Sequence, residues 1–267
     1  MRPAVIQIRP VEKPARKHAV ICSTCNVRQF CLPSGLDPDH LRRIDSLIST
    51  RRRLKRGEAL YQAGTECTAL YAIRSGTFKT TLRGANSQVQ VCGFFIGGEF
   101  LGVECLGSES CNVTAVALED SEVCVLSHEL IAQLTREIPG LQRRLHGMLA
   151  REILRNQEML LLLGSMRAEQ RLAAFLIDLS ARLVRRGYSS SDFHLRMNRE
   201  EMGSYLGIKL ETVSRVFSQF HDAGLIEVAH KHVRILDVPS LQWMLHGRVV
   251  SASDQIAPAA TIFPRRP

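Results

Sequence analysis

From Ala59 to Leu126 the hydrophobic positions come in short runs divided by Gly, Asn and Ser: Ala59–Gln62, Leu70–Ile73, Thr77–Leu82, Val89–Phe95, Val113–Leu118 and Glu122–Leu126. Short runs of β-type residues with turn signals every ten residues or so predict an antiparallel sandwich or roll. On either side the period lengthens to that of a helix. Leu41, Ile44, Leu47 and Ile48 share one side of a short amphipathic helix that opens at Asp37. The run Arg51–Arg56 behind it reads as a solvated turn. Pro139 to Gly164 reads as one long helix, because Pro is tolerated in a first turn and Gly is favoured past the last. Leu141, Leu145, Leu149, Ile153, Asn156, Leu160 and Leu163 form a narrow stripe along it. At about 1.5 Å per residue the helix is about 39 Å long, more than one small domain covers, so the stripe suits a coiled coil with a second copy of the chain. Burial against its own domain is the competing reading, since strict heptads are not sustained. Asn156 inside the seam would weaken pairing while fixing its register.

Beyond a boundary near Gly164–Ser165, Ala168–Arg186 is amphipathic and stops at Gly187. Asn198 with Glu201 three residues on is a capping signal. The short helix it opens stops at Gly207, and a second runs from about Leu210 to Ala223, so the segment is a helix-turn-helix candidate. On the second helix Val213, Val216, Phe217 and Phe220 share the side that can enter a core. Glu211, Ser214, Arg215 and Ser218 fall on the other. Arg can bind both acceptors of guanine, Glu can accept from the cytosine amino group, and Ser serves a base or a phosphate. Leu225–Leu236 reads as two strands with a basic tip, a wing on which Lys231 and Arg234 suit phosphate and His230 and His232 are polar turn residues. The expected organisation is an N-terminal segment (1–56), a β-roll (57–138), a long helix (139–164), a winged helix-turn-helix domain (165–247) and a loose tail (248–267).

Composition narrows the class. With 45% apolar and 23% charged residues the chain is globular rather than disordered. Apolar runs such as Met159–Leu163 fall far short of the ~20 residues of a membrane span, and the basic N-terminus has no apolar block of signal-peptide length. A cytosolic location is expected. The net charge of +9 is uneven: residues 1–56 carry thirteen Lys and Arg against four Asp and Glu, residues 57–126 three against eight. That balance favours a polyanionic partner. No G-x-S-x-G, phosphate-binding loop or H-E-x-x-H occurs, so no enzyme class is indicated.

Eight cysteines in a reducing compartment point to metal ligands or thiols rather than disulfides. Three fall in ten residues, Cys22-x2-Cys25-x5-Cys31 followed by Leu32-Pro33. Such a loop can wrap a zinc ion or an iron–sulfur cluster, and spacing alone does not separate the two. The fourth ligand remains open among Cys67, Cys92, Cys105, Cys111 and Cys124.

From about Cys22 to Gly247 the chain resembles the fumarate and nitrate reduction regulators, the oxygen-responsive branch of the superfamily that includes the cyclic-AMP receptor protein. The resemblance rests on the cysteine loop, Leu70–Thr77, Ala117–Cys124, Glu169–Phe175, Tyr205-Leu-Gly and Glu211-Thr-Val-Ser-Arg215. It implies an α+β chain with a cyclic-nucleotide-binding-like β-roll, a dimerisation helix and a C-terminal winged helix-turn-helix. It further implies that Cys22, Cys25, Cys31 and Cys124 hold an oxygen-labile 4Fe–4S cluster, and that Glu211, Ser214 and Arg215 read bases of a palindromic promoter site. The homodimer would bind while the cluster is intact and would meet RNA polymerase through the roll. Two departures stand out. Gly98-Glu99 is followed by Ser110–Ala115 with no Arg, so a cyclic nucleotide is not expected, and Asn156 stands where related chains carry an acidic residue. A zinc-stapled regulator indifferent to oxygen is the alternative, and an electron carrier is disfavoured because it would leave the helix-turn-helix idle.

Overall fold

The computed structural model describes residues 22–47, 50–66, 68–85 and 88–245. Expectations for the first 21 residues, Cys67 and the tail lie outside these. The chain forms two compact units that divide at Arg151/Glu152.

In the first unit, helix α1 (Pro38–Leu47) precedes strands β1 (Arg51–Leu54), β2 (Ala59–Tyr61), β3 (Ala69–Ser75), β4 (Thr77–Arg83), β5 (Val89–Ile96), β6 (Phe100–Leu101), β7 (Thr114–Ala117) and β8 (Ser121–Ser127). Helix α2 (His128–Glu137) and the long helix α3 (Pro139–Ser165) follow. Among the described residues the strands form two antiparallel sheets, ordered β1-β8-β3-β6 and β2-β7-β4-β5. Side chains alternate across a strand, and this sorts the residues into two cores. Ile73, Leu101 and Val123 of the first sheet meet Phe78, Phe95 and Ala115 of the second inside the roll. The opposite face of the first sheet carries Leu70, Ala72, Phe100, Cys124 and Leu126, which pack with Cys22, Leu32, Ile44, Ile131, Leu134 and Leu141. The cysteine loop, α1, α2 and the start of α3 thus cover one side of the roll.

Three expectations change here. Arg51–Leu54 is a strand and not a turn, paired with β8 at the sheet edge. Its only apolar residue, Leu54, is buried, while charged side chains on an edge strand protect it from further pairing. Helix α2 interrupts what read as a direct passage from roll to long helix; Ser127 caps it by accepting from the Leu130 amide. Third, the stripe on α3 divides: Leu141 is buried and Leu145 and Met148 pack in the first unit's core, whereas Ile153, Asn156 and Leu160 are exposed in the single chain. Ile153, Leu154, Leu160 and Leu161 are 56–70% exposed.

The second unit holds α4 (Ala168–Val184), β9 (Asp192–His194), α5 (Arg199–Leu206), α6 (Leu210–Asp222), β10 (Ile226–Ala229), β11 (His232–Ile235) and α7 (Val238–Met244). Leu172, Leu176, Leu206, Val213, Val216, Ile226, Val233 and Leu241 are fully buried in it. The wing is a three-stranded sheet, β10-β11-β9, one strand more than the sequence pattern predicts. Its tip turns at His230, in the left-handed region at φ 56°.

Candidate functional sites: a thiol pocket and a nucleic-acid interface

The cysteine loop is coiled by successive tight turns. Amides of Cys25, Arg28, Cys31 and Ser34 donate to the carbonyls of Cys22, Cys25, Arg28 and Cys31 at 3.0–3.2 Å. Asp45 of α1 holds its start, accepting from the Cys22 amide and, at 2.8 Å, from the Ser23 hydroxyl. Arg144 of α3 donates to the Gln29 carbonyl at 3.3 Å. The loop lies on the turn after β5, where Gly97 and Gly98 leave room for Val27 and Phe30: a Cβ on Gly98 would stand 2.7 Å from the Phe30 Cβ. Gly98 also has φ +85°, a backbone that favours glycine.

This docking makes one pocket lined by Cys22, Cys25, Cys31 and Cys124, with Arg28, Arg74 and apolar residues between them. The other described cysteines lie elsewhere. Cys92 is exposed, and Cys105 and Cys111 belong to the core inside the roll. Burial and the neighbouring Cys124 push the Cys22 thiol up to about 12, and burial pushes Cys124 up to about 11. Cys31 is also raised well above the usual thiol range, chiefly by burial. Burial thus favours the neutral form of Cys22, Cys31 and Cys124, and any metal that takes these three as thiolates must displace protons. Among the described residues no three His, Cys, Asp or Glu side chains converge tightly enough for a single metal ion; the thiols ring the pocket instead.

Cations stand around the ring. Arg51 pairs with Cys124 across β1 and β8 and its Nε is buried with no hydrogen-bond partner. Arg74 bonds Glu122 and faces Cys25. A donor set of four sulfurs with guanidinium groups beside it fits an anionic metal–thiolate group. Arg51, Arg74 and Asp45 carry no sequence signal that ties them to the cysteine loop. Only the Gly97–Gly98 doublet carries a local signal, as turn punctuation.

The second site is α6. Asn198 and Glu201 form a reciprocal capping box at 2.7 Å that starts α5, and Gly207, at φ 63°, ends it. The turn and the start of α6 pack closely on Gly203, where a Cβ would come within 2.7 Å of the Ile208 carbonyl and 3.5 Å of the Val213 side chain. Arg199 places its guanidinium 3.2 Å above the Phe217 ring. Burial lowers its pKa to about 10. Val213, Val216, Phe217 and Phe220 are buried, at most 3% exposed. Glu211, Ser214, Arg215 and Ser218 are all exposed on the opposite side. A helix fixed after a Gly turn, with its N-terminal polar side chains turned outward, is the arrangement that enters a major groove.

Residues 170–244 match the Crp-like helix-turn-helix domain, and residues 51–137 match the cyclic nucleotide-binding domain. The chain is 42% identical over 232 residues to the transcriptional regulatory protein btr of Bordetella pertussis, covering 87% of this chain and 96% of that one. The chain belongs to the Crp/FNR family of transcription regulators. It is 36% identical to the fumarate and nitrate reduction regulatory protein of Vibrio cholerae, over 85% of this chain and 93% of that protein. The structure of FixK2 from Bradyrhizobium japonicum superposes with a TM-score of 0.67 at 25% identity, covering 76% of this chain and 98% of that one. As a Crp/FNR regulator the chain is a DNA-binding protein and not an enzyme, with the fold that the sequence predicts: a roll of the cyclic-nucleotide-binding type, long helices and a winged helix-turn-helix. Among the described residues no helix is long and apolar enough to cross a membrane.

Proposed function

We propose that this Crp/FNR regulator responds to oxygen: that Cys22, Cys25, Cys31 and Cys124 hold a 4Fe–4S cluster, and that the homodimer binds palindromic promoter DNA only while that cluster is intact. The observation that carries the proposal is the pocket itself, in which a sulfur from β8 and three from the loop line one space beside Arg28 and Arg74. The cluster, when bound, supplies a redox-labile link between these sulfurs. The chain's own part is to hold the loop against the roll through Asp45, the Gly97–Gly98 turn and Arg144. Arg51 and Arg74 offset negative charge at Cys124 and Cys25.

DNA reading is assigned to Glu211, Ser214 and Arg215. Each good bidentate base contact contributes about 1–3 kcal/mol of discrimination. Pairing is assigned to the exposed face of α3, and to a second copy of this chain. Ile153, Leu154, Leu160 and Leu161 repeat at the seven-residue spacing of a coiled-coil seam, and each contributes about 1.5–3 kcal/mol if fully covered. The pair of recognition helices would then sit one DNA turn apart on the two half-sites. A cyclic nucleotide is not part of this reading, because Gly84 to Thr135 holds no Lys or Arg to meet its phosphate. The roll is assigned the contact with RNA polymerase, and the protein the cytoplasm.

The test is protein purified without air. Iron and acid-labile sulfide in equal amounts, with promoter binding that collapses on aeration, support the sensor. Zinc without sulfide, and binding unchanged by air, would instead make the chain a zinc-stapled regulator.

A further inference from the structure

Inside the roll, away from the pocket, lies a second pair of thiols. The sulfurs of Cys105 and Cys111 are 3.0 Å apart, about 1 Å longer than a disulfide bond, and both residues are buried. We propose that Cys105 and Cys111 are a redox modification site that a peroxide converts to an intrachain disulfide, independently of the four pocket cysteines.

The backbone holds the two sulfurs together without a bond. The Cys105 amide donates to the Gly102 carbonyl at 3.1 Å, and the Cys111 amide to the Thr65 carbonyl at 2.9 Å. The Gly64 amide donates in turn to the Cys111 carbonyl at 2.8 Å, and Glu66 bridges Ser110. Closing the bond therefore needs a side-chain movement of about 1 Å, not a rearrangement of strands. The residues between are a surface loop, Leu106–Ser110, with Gly107 and Glu109 exposed. Local opening of such a loop admits a molecule as small as hydrogen peroxide.

The chemistry balances with the peroxide as sole oxidant. One thiolate attacks a peroxide oxygen, the O–O bond breaks, and a sulfenic acid and water form. The second sulfur attacks that sulfenic sulfur, the S–O bond breaks, and a second water leaves with the protons of the thiols. Two thiols lose two electrons and the peroxide gains them; a dithiol reverses the reaction by exchange. Val103 and Leu106, on either side of Cys105, pack against the core that contains Cys22 and Cys124.

Full-length protein purified without air is treated with hydrogen peroxide, alkylated under denaturing conditions and cut after glutamate. Cleavage at Glu104, Glu109 and Glu119 separates the peptide with Cys105 from the one with Cys111. The expected product is those two peptides joined, two hydrogens lighter than their sum and split by a dithiol, with two alkylatable thiols lost from this region. Recovery of both peptides singly alkylated, or of Cys105 joined to a pocket cysteine, overturns the proposal. Cys111→Ser should abolish the joined product and leave Cys105 trappable as a sulfenic acid. If that variant does not fold, the peptide map of the unsubstituted chain still decides. The readout needs no metal, so it stands or falls separately from the cluster.

Discussion

Gly98 and Gly57 make a matched pair. Both have φ +85°, but a Cβ at Gly57 meets nothing within 4 Å, whereas one at Gly98 would lie 2.7 Å from the Phe30 Cβ. An alanine at either position pays the left-handed backbone cost, about 1–2 kcal/mol. Only at Gly98 must a neighbour move as well, and overpacking of this kind costs about 1–3 kcal/mol more. Gly57→Ala should therefore destabilise the protein by about 1–2 kcal/mol and Gly98→Ala by about 2–5 kcal/mol. The excess measures how firmly the cysteine loop is docked on the roll, since Phe30 sits between Cys25 and Cys31. Urea unfolding of the two variants, monitored by circular dichroism under one set of conditions, gives the difference. Iron retained after anaerobic purification should fall in Gly98→Ala and not in Gly57→Ala, an excess of 1–3 kcal/mol being about a 5- to 150-fold shift in docking. Equal midpoints and equal iron in the two variants would refute the docking argument.

Other perturbations bear on the remaining elements. Arg215→Ala should lose about 1–3 kcal/mol of discrimination at one base pair, read by titrating operator variants, and an unchanged preference counts against the assignment. Leu160→Glu, at a position 70% exposed in the single chain, should leave thermal unfolding of the second unit within about 0.5 kcal/mol of the parent while sedimentation shows loss of dimer. Asn198→Ala removes the acceptor for the Glu201 amide and should cost about 0.5–2 kcal/mol of stability in that unit. Tyr61→Phe leaves the Gly102 amide, 3.0 Å from the lost hydroxyl, without its acceptor inside the roll, at about 1–3 kcal/mol; calorimetry shows whether the loss is smaller.

What the sequence reveals and what it hides divides along local and distant interactions. The helix-turn-helix is legible because its signals are local: a cap at Asn198 that opens α5, a glycine at 207 that ends it, and on α6 one buried side with helical period. The first three residues of β1 offer no such signal, since Arg51–Arg53 are all charged and only Leu54 is apolar, and the edge position that explains them depends on β8. Helix α2 was lost for a similar reason, its Ile131 and Leu134 standing too few to mark a period before Pro139 resets the chain. Cys124 was beyond local reasoning altogether. Its position beside the loop follows from alternation on β8, where Val123 enters the roll and Cys124 faces outward with Leu126.

That alternation also bears on how a change at the thiol pocket could reach the pairing helix in the proposed sensor. Cys22, Cys124, Ile44, Leu134 and Leu141 share one core, and Leu145 and Met148 of α3 pack against it. The buried early turns of α3 and its exposed apolar positions 153–161 lie on one continuous helix. Releasing the loop removes Leu32 and the Arg144–Gln29 bond from the first part of that helix, so the start of α3 loses packing. A seam this short has little stability in reserve, and a modest loss upstream is enough to shift a marginal pairing equilibrium. The consequence can be measured without DNA: Arg144→Ala, which cuts one tie while sparing every sulfur, should weaken dimerisation of the anaerobic protein in sedimentation. An unchanged dimer constant would mean that the loop and the helix are not coupled through this core.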